Sequence, residues 1–199
     1  MRDKQKQPLH IEGRTVILEE LQPKYFSDVI RWRNDTGLNR YINQHFVLTE
    51  EMERAWYEDV YLTDSAQGLF VLVDKETGTP FGTSGWTDYD PARRLCIWGR
   101  LMAGERPFQG SVQLIEGILL AVGYFFDTLD VDLAYSHPVA KNDASVRLNH
   151  RFGFFEHEGA PAFADHMNVA NDPMTELVAT RASFAKARKK IEAFLEAFS

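Results

Sequence analysis

The apolar period of the chain changes at Gly110, and that change limits the fold more than any other feature. Beyond it, Val112, Ile115, Leu119, Val122 and Phe126 recur at helical spacing, and Leu114, Ile118 and Phe125 widen the stripe. So broad an apolar face predicts a helix deeply buried against other elements. Before Gly110 the apolar runs are short and bounded by turn residues. Leu69 to Val73, Phe81 to Trp86 and Leu95 to Met102 read as strands of an antiparallel meander, with turns at Glu76-Thr77-Gly78 and at Asp88 to Ala92. Upstream, Thr15 to Glu19 reads as a first strand. Pro23 opens a helix to about Arg33, with Phe26, Val29 and Ile30 on one face. Thr49 is a plausible N-cap for a second helix, with Met52, Ala55, Trp56 and Val60 as its apolar stripe. Downstream come a strand from Val131 to Ser136, a short helix from Asn142 to Phe152 closed by Gly153, strands at Phe154 to Glu156 and Met174 to Thr180, and a last helix from Ser183 to Phe198 carrying Phe184, Ile191, Phe194, Leu195 and Phe198. A meander joined to a β-α-β unit places the chain in the α+β class with a mixed sheet.

A chain of 199 residues suits one domain with an appendage. The expected division is a flexible N-terminus over 1–10, a domain over 11–182 and an appended helix over 183–199. Cys96 is the only cysteine, which excludes an intrachain disulfide and a cysteine metal cluster and favours a reducing compartment. His157 and His166 lack metal-site spacing, so no metal is expected. The polar N-terminus has no signal-peptide core, and no run approaches the roughly 20 apolar residues of a membrane span. The expectation is a cytoplasmic protein with no membrane partner. A net charge of −7 argues against nucleic acid as a partner. Lys186, Arg188, Lys189 and Lys190 lie opposite the aromatic stripe of the last helix. They read as a solvated face on a helix packed on the domain or on a second subunit, which leaves a homodimer open.

Several motifs between Arg31 and Phe154 converge. They are Arg31-Trp32-Arg33-Asn34, Gly104-Glu105, Gln109-Gly110, Glu116, and the pattern Asn142-x-x-Ser145-x-x-Leu148 ending in Gly153-Phe154. Together they resemble the GNAT acetyltransferases, especially the branch acting on ribosomal-protein N-termini, polyamines and amino-sugar nucleotides. The resemblance spans about residues 12–181. It implies the GNAT fold: a mixed, mostly antiparallel central sheet flanked by helices, here with an extra C-terminal helix.

The resemblance implies acetyl-CoA as co-substrate. A helix start offers unpaired N–H groups and a positive dipole end, and glycine lets the backbone come close to a pyrophosphate. Gln109, Gly110, Ser111, Val112 and Gln113 are expected to wrap that anion, with Arg106 adding charge. Leu101, Met102 and Ala103 are expected along the splayed strand that meets the thioester, and Asn142 and Arg147 on the following helix. Lys141, Arg147 and Arg151 are candidates for the 3′-phosphate. Val112 replaces the second glycine of the family loop, and its Cβ is expected to crowd the diphosphate or reshape the loop.

The implied reaction is direct attack of a primary amine on the thioester in a ternary complex. Many relatives place a tyrosine acid seven positions after the asparagine, and here that position is Asn149, which cannot act as an acid. Ser145 and Tyr135 are candidate substitutes, with Asn149 holding the sulfur or a water. His137, or Glu105 through water, is a candidate base. Arg33, Asn34, His45 and Trp86 are candidate acceptor contacts, with Trp86 read more readily as core than as pocket wall. The acceptor is read as the amine of a small molecule, an amino-sugar nucleotide among them. A protein or peptide N-terminus, an antibiotic amine and a non-catalytic GNAT-like binding domain are the alternatives.

Overall fold

A computed structural model describes residues 4–5, 7–42, 44, 46–157 and 172–198. Eight strands form one sheet: β1 (His10–Glu12), β2 (Val16–Glu20), β3 (Gly68–Asp74), β4 (Pro80–Asp90), β5 (Leu95–Ala103), β6 (Leu133–Ser136), β7 (Phe155–Glu156) and β8 (Leu177–Thr180). Their order across the sheet is β1-β2-β3-β4-β5-β6-β8-β7. All neighbours are antiparallel except β5 and β6, which run parallel. Among the described residues, five α-helices complete the fold: α1 (Phe26–Asn34), α2 (Glu50–Trp56), α3 (Val112–Asp127), α4 (Asp143–Arg151) and α5 (Arg181–Glu196). The α+β class and the mixed sheet are as the sequence predicts. β1 escapes sequence reading because three residues with a single apolar side chain are too few to establish a period.

α3 is the buried helix that the apolar period requires. Ile118, Ala121, Val122 and Phe125 are fully enclosed, packed against Phe70, Leu72 and Trp86 of the sheet. Ser111 caps the helix, its Oγ accepting from the Leu114 amide at 3.1 Å. α5 closes the far side of α3: Phe184 stacks on Phe126 with centroids 5.1 Å apart, and Ile191 and Leu195 are buried beside them. Thr180 and Ser183 cap α5 reciprocally, so the helix begins two residues before the expected Ser183. The opposite face of the sheet carries α1 and α2 on Leu69, Val71 and Val73.

The expected stripe of α2 is corrected by the structure. Met52 and Val60 are exposed, while Glu53, Tyr57 and Tyr61 are buried. These three lie at i, i+4 and i+8, and a π-helical turn over Tyr57–Tyr61 carries the tyrosines inward. That turn is held from outside. Lys4 Nζ donates to the carbonyls of Tyr61 at 2.6 Å, Asp64 at 2.7 Å and Gln67 at 2.9 Å. Its ammonium also sits 3.9 Å from the Tyr61 ring centroid. Lys4→Met keeps the stem and deletes these charged bonds. It is expected to lower unfolding stability by about 2 kcal/mol, since hydrogen bonds to charged groups contribute roughly 1.5–3 kcal/mol and are not additive. Urea titration measures the loss.

Candidate functional site

β5 and β6 pair only at Leu95↔Leu133, Cys96↔Ala134 and Ile97↔Tyr135. β5 then continues to Ala103, while β6 ends at Ser136 and the chain turns away into Pro138, Val139 and α4. The two strands therefore part. A cavity of about 1010 Å³ lies at the parting. Trp98, Gly99, Arg100, Leu101, Met102 and Ala103 form one wall, and Ser136, His137, Asn142, Ser145 and Asn149 form the other. Strands that separate leave backbone groups without a ladder partner, and such groups are available to a ligand.

The loop into α3 borders this cavity through Gln109, whose Nε2 donates to the Ala103 carbonyl at 3.3 Å. Gly110 takes the left-handed conformation with φ of 74°, and a Cβ there would meet nothing within 4 Å. The backbone at this point is thus open to close approach. Ser111 uses its hydroxyl on Leu114, which leaves the amides of Val112 and Gln113 as first-turn donors of the helix. Val112 packs against the core, and the positive φ falls on Gly110 instead. Arg106 is exposed on the short 3-10 turn Arg106–Phe108.

Asn142 caps α4, accepting from the Ser145 amide at 3.2 Å. Asn149 is buried; its Nδ2 donates to the Ser145 carbonyl at 2.9 Å, and its Oδ1 has no partner among the described residues. His137 lines the cavity, and burial pushes its pKa below the usual histidine value, which keeps the ring neutral. Tyr135 is buried beneath the parting, its ring centroid 6.5 Å from that of His137, and does not line the cavity. Of the three phosphate candidates, Lys141 pairs with Asp172 at 2.6 Å and Arg151 lies over the Phe194 ring. Arg147 is exposed on α4.

The expected acceptor residues divide. Arg33 lines the cavity. Asn34 does not: its amide donates to the Leu48 carbonyl at 2.9 Å and accepts from the Leu48 amide at 2.8 Å, so it fixes the segment between α1 and α2. Trp86 lies on the α3 side of the sheet, tilted against Phe70 and Tyr124, and belongs to the core. His45 lies outside the described residues. Glu105 is also engaged, accepting from Trp32 Nε1 at 2.8 Å and from Arg31 at 2.5 Å, and these bonds hold its carboxyl below the usual range. Its work is to dock α1 on the end of β5.

Arg100 and Glu53 are among the cavity residues that were not anticipated. Arg100 sits in a β-bulge, with Thr83↔Met102 and Gly85↔Gly99 flanking an extra residue on β5. Its φ is 54°, and its guanidinium turns back to donate to Gln67 Oε1 at 2.5 Å and to lie over Trp56. Glu53 is buried on the same wall, with Arg33 Nη1 4.0 Å from its Oε2 and its carboxyl pushed up by burial. An arginine inside the apolar run from Leu95 to Met102 was the available signal for Arg100. Glu53 gave none, because acidic residues are ordinary in the first turn of a helix. Among the described residues no group of three or more His, Cys, Asp or Glu is placed to hold a metal, and no helix is long and apolar enough to cross a membrane.

The family model described as "Acetyltransferase (GNAT) domain" matches residues 15–155. No curated protein matches the chain in sequence. Among solved structures, a GCN5-related N-acetyltransferase from Brucella melitensis superposes with a TM-score of 0.77 at 22% identity, over 95% of this chain and 86% of that one. A structure titled FdhC, a nucleotide-linked sugar GNAT, gives 0.76 at 16% identity over 95% and 99%. The spermidine N-acetyltransferase from Vibrio cholerae, in complex with CoA and spermine, gives 0.73 at 17% identity over 87% and 99%. At these identities the likeness is one of fold.

Proposed function

Because the chain belongs to the GNAT acetyltransferase family, we propose that it moves an acetyl group from acetyl-CoA to the primary amine of a small molecule bound in the cavity between β5 and α4. One observation carries the reading. The parting of β5 from β6 opens a single cavity that runs from Gln109, beside the glycine loop, to Arg33 and Arg100. A donor entering from one end and an acceptor from the other would meet at the unpaired edge of β5.

The residues present fit a pantetheine diphosphate. Gly110 and the first-turn amides of α3 would take the diphosphate, favoured by the positive end of the helix dipole, with Arg106 adding charge. Leu101 to Ala103 would lie along the pantetheine arm, and Asn142 and Arg147 would flank it from α4. Acetyl-CoA supplies an activated acyl group as a thioester. At the Met102–Ala103 strand end, the backbone N–H that faces away from β4 would donate to the carbonyl oxygen as charge develops there. Neutral His137 is a group in the cavity suited to take a proton from the acceptor's ammonium, directly or through water, which frees the amine to attack. Ser145 Oγ would donate towards the departing sulfur, and the Oδ1 of Asn149 would accept a pantetheine amide or hold a water. With Tyr135 outside the cavity wall, it is not assigned a proton-transfer role.

Acetyl-CoA is expected to raise the unfolding temperature. A ligand at 100 times its Kd contributes about 2.7 kcal/mol, which for a chain of this size corresponds to roughly 5–10 °C. Thiol release measured across a panel of small amines, amino-sugar nucleotides and N-terminal peptides then identifies the acceptor class. Absence of a thermal shift at millimolar acetyl-CoA would overturn the proposal. Turnover only with peptides would move the acceptor to protein N-termini.

A further inference from the structure

We infer that the acceptor amine carries an apolar body, alkyl or arylalkyl, and that Leu38, Tyr41, Trp56 and Met102 hold that body beside the thioester. The inference rests on the acetyltransferase reading and names the substrate class of the same cavity. Three observations lead to it. First, one end of the cavity is apolar. Leu38, Tyr41, Ile42, Trp56 and Met102 line it, and all five are half-buried. Leu38, Trp56 and Met102 pack against one cluster, backed by the buried Trp32. Apolar surface left open in a cavity is what an apolar ligand gains most by covering. Met102 belongs both to this cluster and to the strand end that would meet the thioester, so the apolar end adjoins the reacting carbon. Second, the wall is held in place by its own bonds. The turn that carries Leu38, Tyr41 and Ile42 is pinned to the end of α1: Asn39 Nδ2 donates to the Arg33 carbonyl at 2.9 Å, and Gln44 Nε2 donates to the same carbonyl at 3.3 Å and to Asn34 Oδ1 at 3.2 Å. A wall pinned in this way costs little ordering when a ligand arrives. Third, the charges on the wall answer one another. Arg33 lies 4.0 Å from Glu53. Asp64 accepts from the Ala66 amide and from Gln67 Nε2, each at 2.8 Å, and Asp172 pairs with Lys141. Arg40 lies 4.7 Å from the Tyr41 ring centroid and Arg100 lies 5.4 Å from that of Trp56. Asp88 acts on both Arg100 and His137, which sets it at the end where the ammonium would give up its proton. With Lys141 counted, four carboxylates meet four cations among the described residues. Neither sign is left in surplus to select a second charge on the acceptor, and the apolar end is left to select its body.

The test separates this from the acetyltransferase reading. The thermal shift of wild-type protein with CoA tests the reading itself. Butylamine, hexylamine, 2-phenylethylamine and spermidine are then titrated into the CoA complex, which has no acetyl group to transfer. Each methylene that enters an apolar site contributes about fourfold in affinity. Hexylamine and 2-phenylethylamine are therefore expected to bind at least fivefold tighter than butylamine and than spermidine, with the stronger of the two telling an alkyl from an aryl body. Trp56→Ala is expected to shrink that preference over butylamine to twofold or less while leaving the CoA shift in place. A structural role alone would weaken all four amines alike. If Trp56→Ala fails to fold, Tyr41→Ala makes the same comparison with a smaller loss. If CoA gives no shift, the acetyltransferase reading fails, and the same titrations into the free protein still rank the amines. Spermidine or butylamine binding as tightly as the apolar amines, or an equal loss for every amine in the variants, would overturn the inference while leaving the CoA result standing.

Discussion

Gly104→Ala is expected to cost about 3 kcal/mol of stability and at least tenfold in turnover. A Cβ built on Gly104 would stand 2.1 Å from the Trp32 ring. The indole is buried and its Nε1 is tied to Glu105 at 2.8 Å, so it can yield only towards the cavity it borders and at the cost of that bond. Overpacking of this kind costs about 1–3 kcal/mol, and more where the neighbour is rigid. For a chain of this size each kcal/mol lowers the melting temperature by roughly 2–4 °C, so a drop of about 6–12 °C should be seen by differential scanning fluorimetry. The effect on turnover has a separate cause. Gly104 follows Ala103, the last residue of β5, and both Gly104 and Glu105 amides donate to the Phe81 carbonyl. A displaced indole therefore moves the strand end that would meet the thioester. Trp32→Phe gives the control: it relieves the clash, loses the bond to Glu105, and should recover part of the stability in the Gly104→Ala background. A double variant no more stable than the single one would show that the strain lies elsewhere.

This contact also shows how the sequence carries its fold. Arg31-Trp32-Arg33-Asn34 and Gly104-Glu105 are separate motifs when read along the chain. In the structure they are partners, with Trp32 resting on Gly104 and bonded to Glu105. Asn34 continues the same task by gripping Leu48. Of that first motif, Trp32 and Arg33 border the cavity, while Arg31 and Asn34 do not. A motif marks positions that tolerate little change. Whether the constraint is packing or chemistry depends on which face the residue meets, and a face is a property of the assembled sheet.

The same limit explains what was legible and what was not. The long helix, the meander and the cap at Gly153 follow from local rules of period and backbone conformation. Gly153 does adopt φ of 87°, and a Cβ there would lie 2.7 Å from the Ser183 carbonyl. The loop at Gln109-Gly110 and the wall at Ser145 and Asn149 were reached by resemblance, and the structure brings Gln109, Ser145 and Asn149 to one cavity. Trp86 was ambiguous because a strand residue one position along faces the other side. Arg100 was missed because a β-bulge rotates its side chain off the regular period. Glu53 was missed because an acidic residue in the first turn of a helix reads as ordinary.

Glu116 provides the second large effect, and its direction distinguishes a structural motif residue from a catalytic one. It is a buried carboxylate on a helix whose neighbouring residues are apolar. Its Oε1 accepts from the Arg14 amide at 2.6 Å, and its Oε2 accepts from the Thr15 amide at 2.8 Å and the Thr15 hydroxyl at 2.6 Å. These bonds pin the turn between β1 and β2 onto α3. Glu116→Ala would strip the acceptor from two backbone donors and a hydroxyl, each in a partly buried setting. Bonds to charged groups contribute roughly 1.5–3 kcal/mol each, less when they share one carboxylate. The expected loss is about 3–5 kcal/mol, in the range seen when a buried charge network is broken. Glu116→Gln should lie between wild type and alanine, because its carbonyl oxygen still serves one amide while its NH2 faces a donor. Urea unfolding ranks the three proteins. Glu116 does not line the cavity, so the fraction that remains folded at low temperature should release thiol from acetyl-CoA at the wild-type rate. A Glu116→Ala protein that kept its stability and lost turnover would reverse the assignment and place this carboxylate in the chemistry.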